Sequence, residues 1–70
     1  MRIKYFEDTD TTFVELSTKT PSETRELNEN IYLDFDDEGN IVSITIEHAG
    51  RSANMEEFIY QRIPAGLRSA

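Results

Sequence analysis

The residues of this chain that could do chemistry are His48 and the acidic run from Asp34 to Gly39. His48 is the single histidine, and a general base near neutral pH would centre on it, with a neighbouring carboxylate to orient its ring. Such a role also requires a pocket and a second reacting group. His48 has the strand parity of Val42, Ile44 and Ile46, which makes it a cap on the edge of a core instead. Asp34, Asp36, Glu38 and Gly39 fall at positions 1, 3, 5 and 6 of a calcium-loop register, and Ile41 fits position 8. The register then breaks, because Thr45 stands where a bidentate Glu is needed and a strand pattern follows in place of a helix. Asp34 and Asp36 could also supply the paired carboxylates of glycoside hydrolysis, but a chain this short offers little concave surface to hold a sugar. No phosphate loop, Ser/His/Asp set or basic aromatic stripe occurs. Turn geometry itself selects Asp, Asn and Gly, so the acidic run reads as a solvated reversal, with no metal or cofactor expected.

The reversal belongs to the clearest element in the chain, a hairpin from Asn30 to His48. Ile31, Leu33 and Phe35 alternate into the turn, and Val42, Ile44 and Ile46 alternate out of it. Gly39 and Asn40 tolerate the positive φ that a tight reversal needs. Upstream, Arg2 to Phe6 and Thr11 to Leu16 form another hairpin around Glu7-Asp8-Thr9-Asp10. Ser17 to Ser22 with Pro21 reads as a loop, and Glu23 to Asn28 as a short third strand. Short polar turns between successive strands predict an antiparallel meander of about five strands.

After Ala49-Gly50 the period changes. Met55, Phe58, Ile59, Arg62 and Ile63 recur at helical spacing, with Asn54 as cap and Glu57 as its capping-box partner. Pro64 and Gly66 end this predicted helix, and Leu67 to Ala70 have too little to bury and fray. The expected fold class is therefore α+β: a five-stranded antiparallel meander with one C-terminal helix packed on one face, in a single domain over residues 1–70. Its core is Ile3, Tyr5, Val14, Leu16, Leu27, Ile31, Leu33, Phe35, Val42, Ile44 and Ile46 against Met55, Phe58, Ile59 and Ile63. A helix of about ten residues is roughly 15 Å long and 10 Å across, too small to cover five strands spaced about 4.8 Å apart. Phe6, Phe13, Tyr32 and Ile41 fall on the opposite face by alternation, and that face is expected to bind a second copy or a small protein partner.

Size and charge limit the function classes. A domain of 70 residues buries only roughly 60% of the surface its unfolded chain exposes. With no cysteine and one histidine it has neither a disulfide framework nor a Cys/His zinc site to compensate, so association is the common remedy left. Fourteen acidic against seven basic residues give a net charge of −7, which disfavours nucleic acid and steers a basic protein partner. No apolar run is long enough for a membrane span, and Met1 to Phe6 leads into acidic residues and not into an apolar signal segment. A cytoplasmic protein without a membrane partner is expected.

Four segments, in order, carry a family resemblance: Tyr5-Phe6-Glu7-Asp8-Thr9-Asp10, Phe13-Val14-Glu15-Leu16, Glu23-Thr24-Arg25-Glu26-Leu27, and Asp34 to Ile44. Over about residues 3 to 50 the chain resembles domain-of-unknown-function family twenty-two eighty-three, a set of small prokaryotic proteins. It departs from that pattern at Phe6, where the family prefers Asp, at Thr12-Phe13, where it has Leu and Tyr, and at Ser43, where Gly is usual. The resemblance implies a small α+β protein without assigned activity or catalytic residues, and an antitoxin-like role for some members. The resulting expectation is a non-enzymatic protein-interaction module, an acidic partner of a basic toxin. The alternatives are a small-ligand or metal-binding module using the acidic turns, and an enzyme centred on His48.

Overall fold

Period-two alternation becomes five strands in the computed structural model, which describes residues 1–66; the fraying expected of Leu67 to Ala70 lies outside them. The strands are β1 (Arg2–Phe6), β2 (Thr11–Glu15), β3 (Glu23–Asn28), β4 (Ile31–Phe35) and β5 (Ile41–Ile46). All pair antiparallel in one open sheet. Its order is β1-β2-β5-β4-β3, so the sheet is not a simple meander. β1–β2 and β3–β4–β5 are joined by short turns as expected, but β2 pairs with β5 and not with β3. Composition explains the choice. β5 carries Ile41, Val42, Ile44 and Ile46 and takes the centre, whereas β3, with Glu23, Arg25 and Glu26, goes to an edge where charge is tolerated.

This order requires the chain from Leu16 to Ser22 to pass three strand spacings, about 14 Å, across the end of the sheet where β4 ends and β5 begins. Its backbone is anchored along the way. The Leu16 and Ser17 N–H groups both donate to the Val42 carbonyl, at 2.9 and 3.2 Å, and the Ser22 N–H donates to the Phe35 carbonyl at 2.8 Å. The β4–β5 register shifts between Asp34 and Phe35, so that Ser43 faces Asp34 while Ile41 faces Phe35. Val42 is the extra residue of this bulge, and there its carbonyl receives the crossing chain.

The acidic reversal is tied down by Asp36. Its Oδ1 accepts the N–H groups of Glu38 and Asn40, both at 2.9 Å, and the Asn40 carbonyl accepts the Asp36 N–H. Within this reversal only Gly39 takes a positive φ, 84°; Asn40 contributes its amide to Asp36 Oδ2 instead.

The helix expected over Met55 to Ile63 does not form. α1 (Ala49–Ser52) is a single turn, and Ala53 leaves it fully extended. Asn54 accepts the Glu56 N–H, a local turn with no helix after it. A nine-residue segment is too short to hold a helix by its own hydrogen bonds, and Phe58, Ile59, Tyr60 and Ile63 are middling helix formers. It would need packing that it lacks, since those four side chains are 62–70% exposed.

Asp36→Ala is expected to lower the melting temperature by several degrees in circular-dichroism melts, and Asp37→Ala to leave it nearly unchanged. The Asn40 N–H, more than that of Glu38, holds the Asp36 carboxyl below the usual carboxylate range against the opposing effect of burial. A depressed carboxyl contributes stability above its unfolded pKa of about 3.9 and loses it as the pH falls. The gap between wild type and Asp36→Ala therefore narrows on acidification below about pH 4.

Candidate functional site

Strand registers carry rows of side chains across all five strands, and the two faces differ sharply. Ile3, Val14, Ile44, Leu33 and Arg25 form one row; Tyr5, Thr12, Ile46, Ile31 and Asn28 form the next on the same side. Phe35 and Ile41 oppose each other beyond them. This is the apolar face that alternation predicted, and among the described residues only Thr12 of these rows is buried, where Met55 reaches it; the other side chains are half-buried or exposed. Among the described residues Val42 and Ala49 are the only buried hydrophobics, and no large side chain is fully buried. The charge on this face is confined to β3, where Arg25 pairs with Glu23 at 3.0 Å and lies 4.6 Å from the centre of the Phe35 ring.

The opposite face is polar. Lys4, Phe13, Thr45, Tyr32 and Glu26 make one row, and Arg2, Glu15, Ser43, Asp34 and Thr24 the other. Lys4 pairs with Glu15 at 2.9 Å, and the Ser43 and Thr24 hydroxyls donate to the two oxygens of Asp34. Of the four residues expected to form an interaction surface here, Phe13 and Tyr32 share a row, separated by Thr45. Phe6 sits at the end of β1 opposite Thr11. Ile41 does not join them, because the bulge at Val42 reverses its parity and pairs it with Phe35 on the apolar face. The Glu47 charge first, then burial and Glu26, raises the Tyr32 phenol above its ordinary pKa, so acids surround even the aromatic part of this face.

The chemical candidates are taken up by the fold. β5 ends at Ile46, and His48 does not cap the edge of the core: it is an exposed, left-handed residue, φ 54°, at the start of α1. Its Nδ1 lies 3.0 Å from the Asn30 side-chain oxygen, and Glu29, Arg51 and Ser52 line the shallow depression beside it. Asp34 and Asp36 are directed to different partners, hydroxyls in the first case and turn N–H groups in the second. They do not converge on a common centre. Among the described residues no three His, Cys, Asp or Glu side chains gather in a metal-binding arrangement. The acidic turns themselves lie at opposite ends of the sheet, because β1 and β5 run the same way and the turns leave the end of one and enter the start of the other.

A contact that sequence reasoning missed sets the course of the C-terminal segment. Asp10, itself left-handed at φ 54°, accepts the Tyr5 hydroxyl at 2.6 Å and the Gly50 N–H at 2.9 Å through one oxygen, while its carbonyl accepts the Ala49 N–H. A Cβ on Gly50 would come within 3.0 Å of that oxygen. α1 is thus latched to the β1–β2 turn, and the chain leaves it along the β1 side of the apolar face. Met55 reaches Thr12 at 3.6 Å, and Phe58 and Tyr60 come beside Met1 and Ile3. Nothing in the local spacing of Tyr5, Asp10 and Gly50 marks this contact, which joins residues 40 apart.

The latch has a pH signature. The Asp10 hydrogen bond, chiefly, raises the Tyr5 phenol, and the Tyr5 and Gly50 donors lower the Asp10 carboxyl. A raised phenol contributes stability below its unfolded pKa of about 10, and the contribution is lost as the pH rises through the folded value. Tyr5→Phe is expected to melt below wild type at pH 7, with the difference closing above about pH 10. A difference constant through that range would contradict the latch.

No helix among the described residues is long and apolar enough to cross a membrane. No curated protein and no solved structure matches the chain. A family model described as a protein of unknown function does match, over residues 2–49, the five strands and the first residue of α1. With more than half of its length covered, including every strand of the open sheet, the chain belongs to the DUF2283 family.

Proposed function

We propose that this protein is a non-enzymatic protein-interaction module that works through the apolar face of its sheet. The observation that carries the reading is the Ile3, Val14, Ile44 and Leu33 row, which crosses four strands and is left half-buried or exposed among the described residues. A one-sided antiparallel sheet is ordinarily covered on its apolar side by another layer of structure. The polar side, by contrast, meets its needs with its own ion pairs and hydroxyl–carboxylate bonds. This reverses the face expected from Phe6, Phe13 and Tyr32.

The net charge of −7 supports the finer form of the reading, an antitoxin-like chain whose partner is basic. Long-range attraction of that kind needs no single acidic patch, which suits turns placed at both ends of the sheet.

Co-purification from cells expressing the tagged chain tests the proposal. Leu33→Asp puts a charge in the middle of the apolar row, and Lys4→Glu alters the polar face. A specific bound polypeptide, an untagged copy of the chain included, is expected to fall at least about tenfold in recovery with Leu33→Asp and to persist with Lys4→Glu. Equal recovery with both variants, or loss with Lys4→Glu alone, overturns the reading.

A further inference from the structure

We propose that the chain from Ala53 to Tyr60 is an autoinhibitory strap, which lies along the β1 side of the apolar face and holds a partner off the Ile3 end of its central row. The inference rests on the reading of that face as the working surface and adds the device that regulates it. The Asp10 contact brings the segment there. Asp10 accepts the Gly50 N–H through its carboxylate and the Ala49 N–H through its carbonyl, so the chain leaves α1 beside the Tyr5 end of β1. Tyr5, Gly50, Ala53 and Met55 line one groove at that end.

The strap has two seats on the sheet. At the first, the Met55 sulfur lies 3.6 Å from the hydroxyl of Thr12, and Met55 alone among residues 51–66 is half-buried. At the second, Phe58 and Tyr60 line a cleft with Met1 and Ile3, at the start of β1. Extended chain from Met55 to Tyr60 reaches about 16 Å, the length of β1, whereas the same residues as a helix would reach only about 7.5 Å.

The spacing shows which side chains dock. Phe58 and Tyr60 are two apart, the period of an extended chain, and Ile59 between them takes no part in lining the cleft. Met55 has the other parity. A turn in which the Asn54 side-chain oxygen accepts the Glu56 N–H, at 3.0 Å, bends the chain between the seats and brings both to the sheet. Helical spacing would instead group Ile59 with Met55 and Phe58 and leave Tyr60 out.

This hold is light. Phe58 and Tyr60 stay 67% and 70% exposed, and neither seat includes Ile44 or Leu33. A segment with so few buried contacts opens at low cost, and a partner that binds the face better with the strap away displaces it.

Fluorescence of 1-anilinonaphthalene-8-sulfonate with the full chain, together with recovery of a co-purifying polypeptide, tests the inference. Phe58→Ser with Tyr60→Ser is expected to bind at least about twofold more dye than wild type, although it has lost two aromatic rings, because the Ile3 end of the row opens. Ile59→Ser is expected to bind no more than wild type. Met55→Ser reads the strap in the same way if the double variant does not fold. Dye binding that is unchanged or lower in the strap variants overturns the strap, and a rise as large with Ile59→Ser overturns the extended docking. Recovery of the polypeptide is expected to rise at least about threefold when the strap is opened, as the competent fraction grows. A fall in recovery makes the segment part of the interface and overturns autoinhibition. No polypeptide with either the wild type or the open strap overturns the reading of the working face and the competition with it, while the dye still shows whether the strap closes.

Discussion

A single sheet with one apolar face is ordinarily stabilised by placing that face against something other than water, and the exposed apolar surface of this chain is to be understood from that constraint. The row Ile3, Val14, Ile44 and Leu33 is set by register across four strands, so no one-residue adjustment can hide it without turning the polar rows inward. The exposed Phe58, Ile59, Tyr60 and Ile63 express the same shortage of cover at the C-terminal end. Hydrophobic surface is present in quantity, and the described residues enclose it only in part.

The backbone, unlike the core, is well provided for. The crossing from β2 to β3 could have left a row of unmatched N–H groups at the lower end of the sheet, but the Val42 bulge offers one carbonyl to both Leu16 and Ser17, and Phe35 offers another to Ser22. Asp36 completes that end by accepting the donors of its own turn. At the upper end Asp10 does the same for Tyr5 and Gly50. The two carboxylates that look most available for chemistry, Asp34 and Asp36, are therefore occupied in holding the scaffold.

Much of this was legible in the sequence, for a physical reason. Period-two alternation is a local property, so the approximate positions of all five strands and most of the apolar face could be read from Ile3, Tyr5, Val14, Leu33 and Ile44 directly. Strand order was not, because whether β2 meets β3 or β5 depends on which strand buries more once folded, and alternation does not encode it. Nor could parity anticipate a bulge: one extra residue at Val42 moved Ile41 from the polar face to the apolar one. The helical spacing of Met55, Phe58, Ile59 and Ile63 says which side chains would align if a helix formed, and does not say that nine residues can sustain one alone. His48 illustrates the same limit, since strand parity ceased to apply once the strand ended at Ile46.

The central claim, that the apolar face is completed by another polypeptide, is tested most directly by isotope-filtered NMR of the methyl-labelled chain with the unlabelled polypeptide that co-purifies with it. The account predicts intermolecular contacts to the methyl groups of Ile3, Val14, Leu33 and Ile44, and none at Phe13 or Thr45. Contacts from those methyl groups only to Met55, Phe58, Ile59 or Ile63 of the same chain would contradict it.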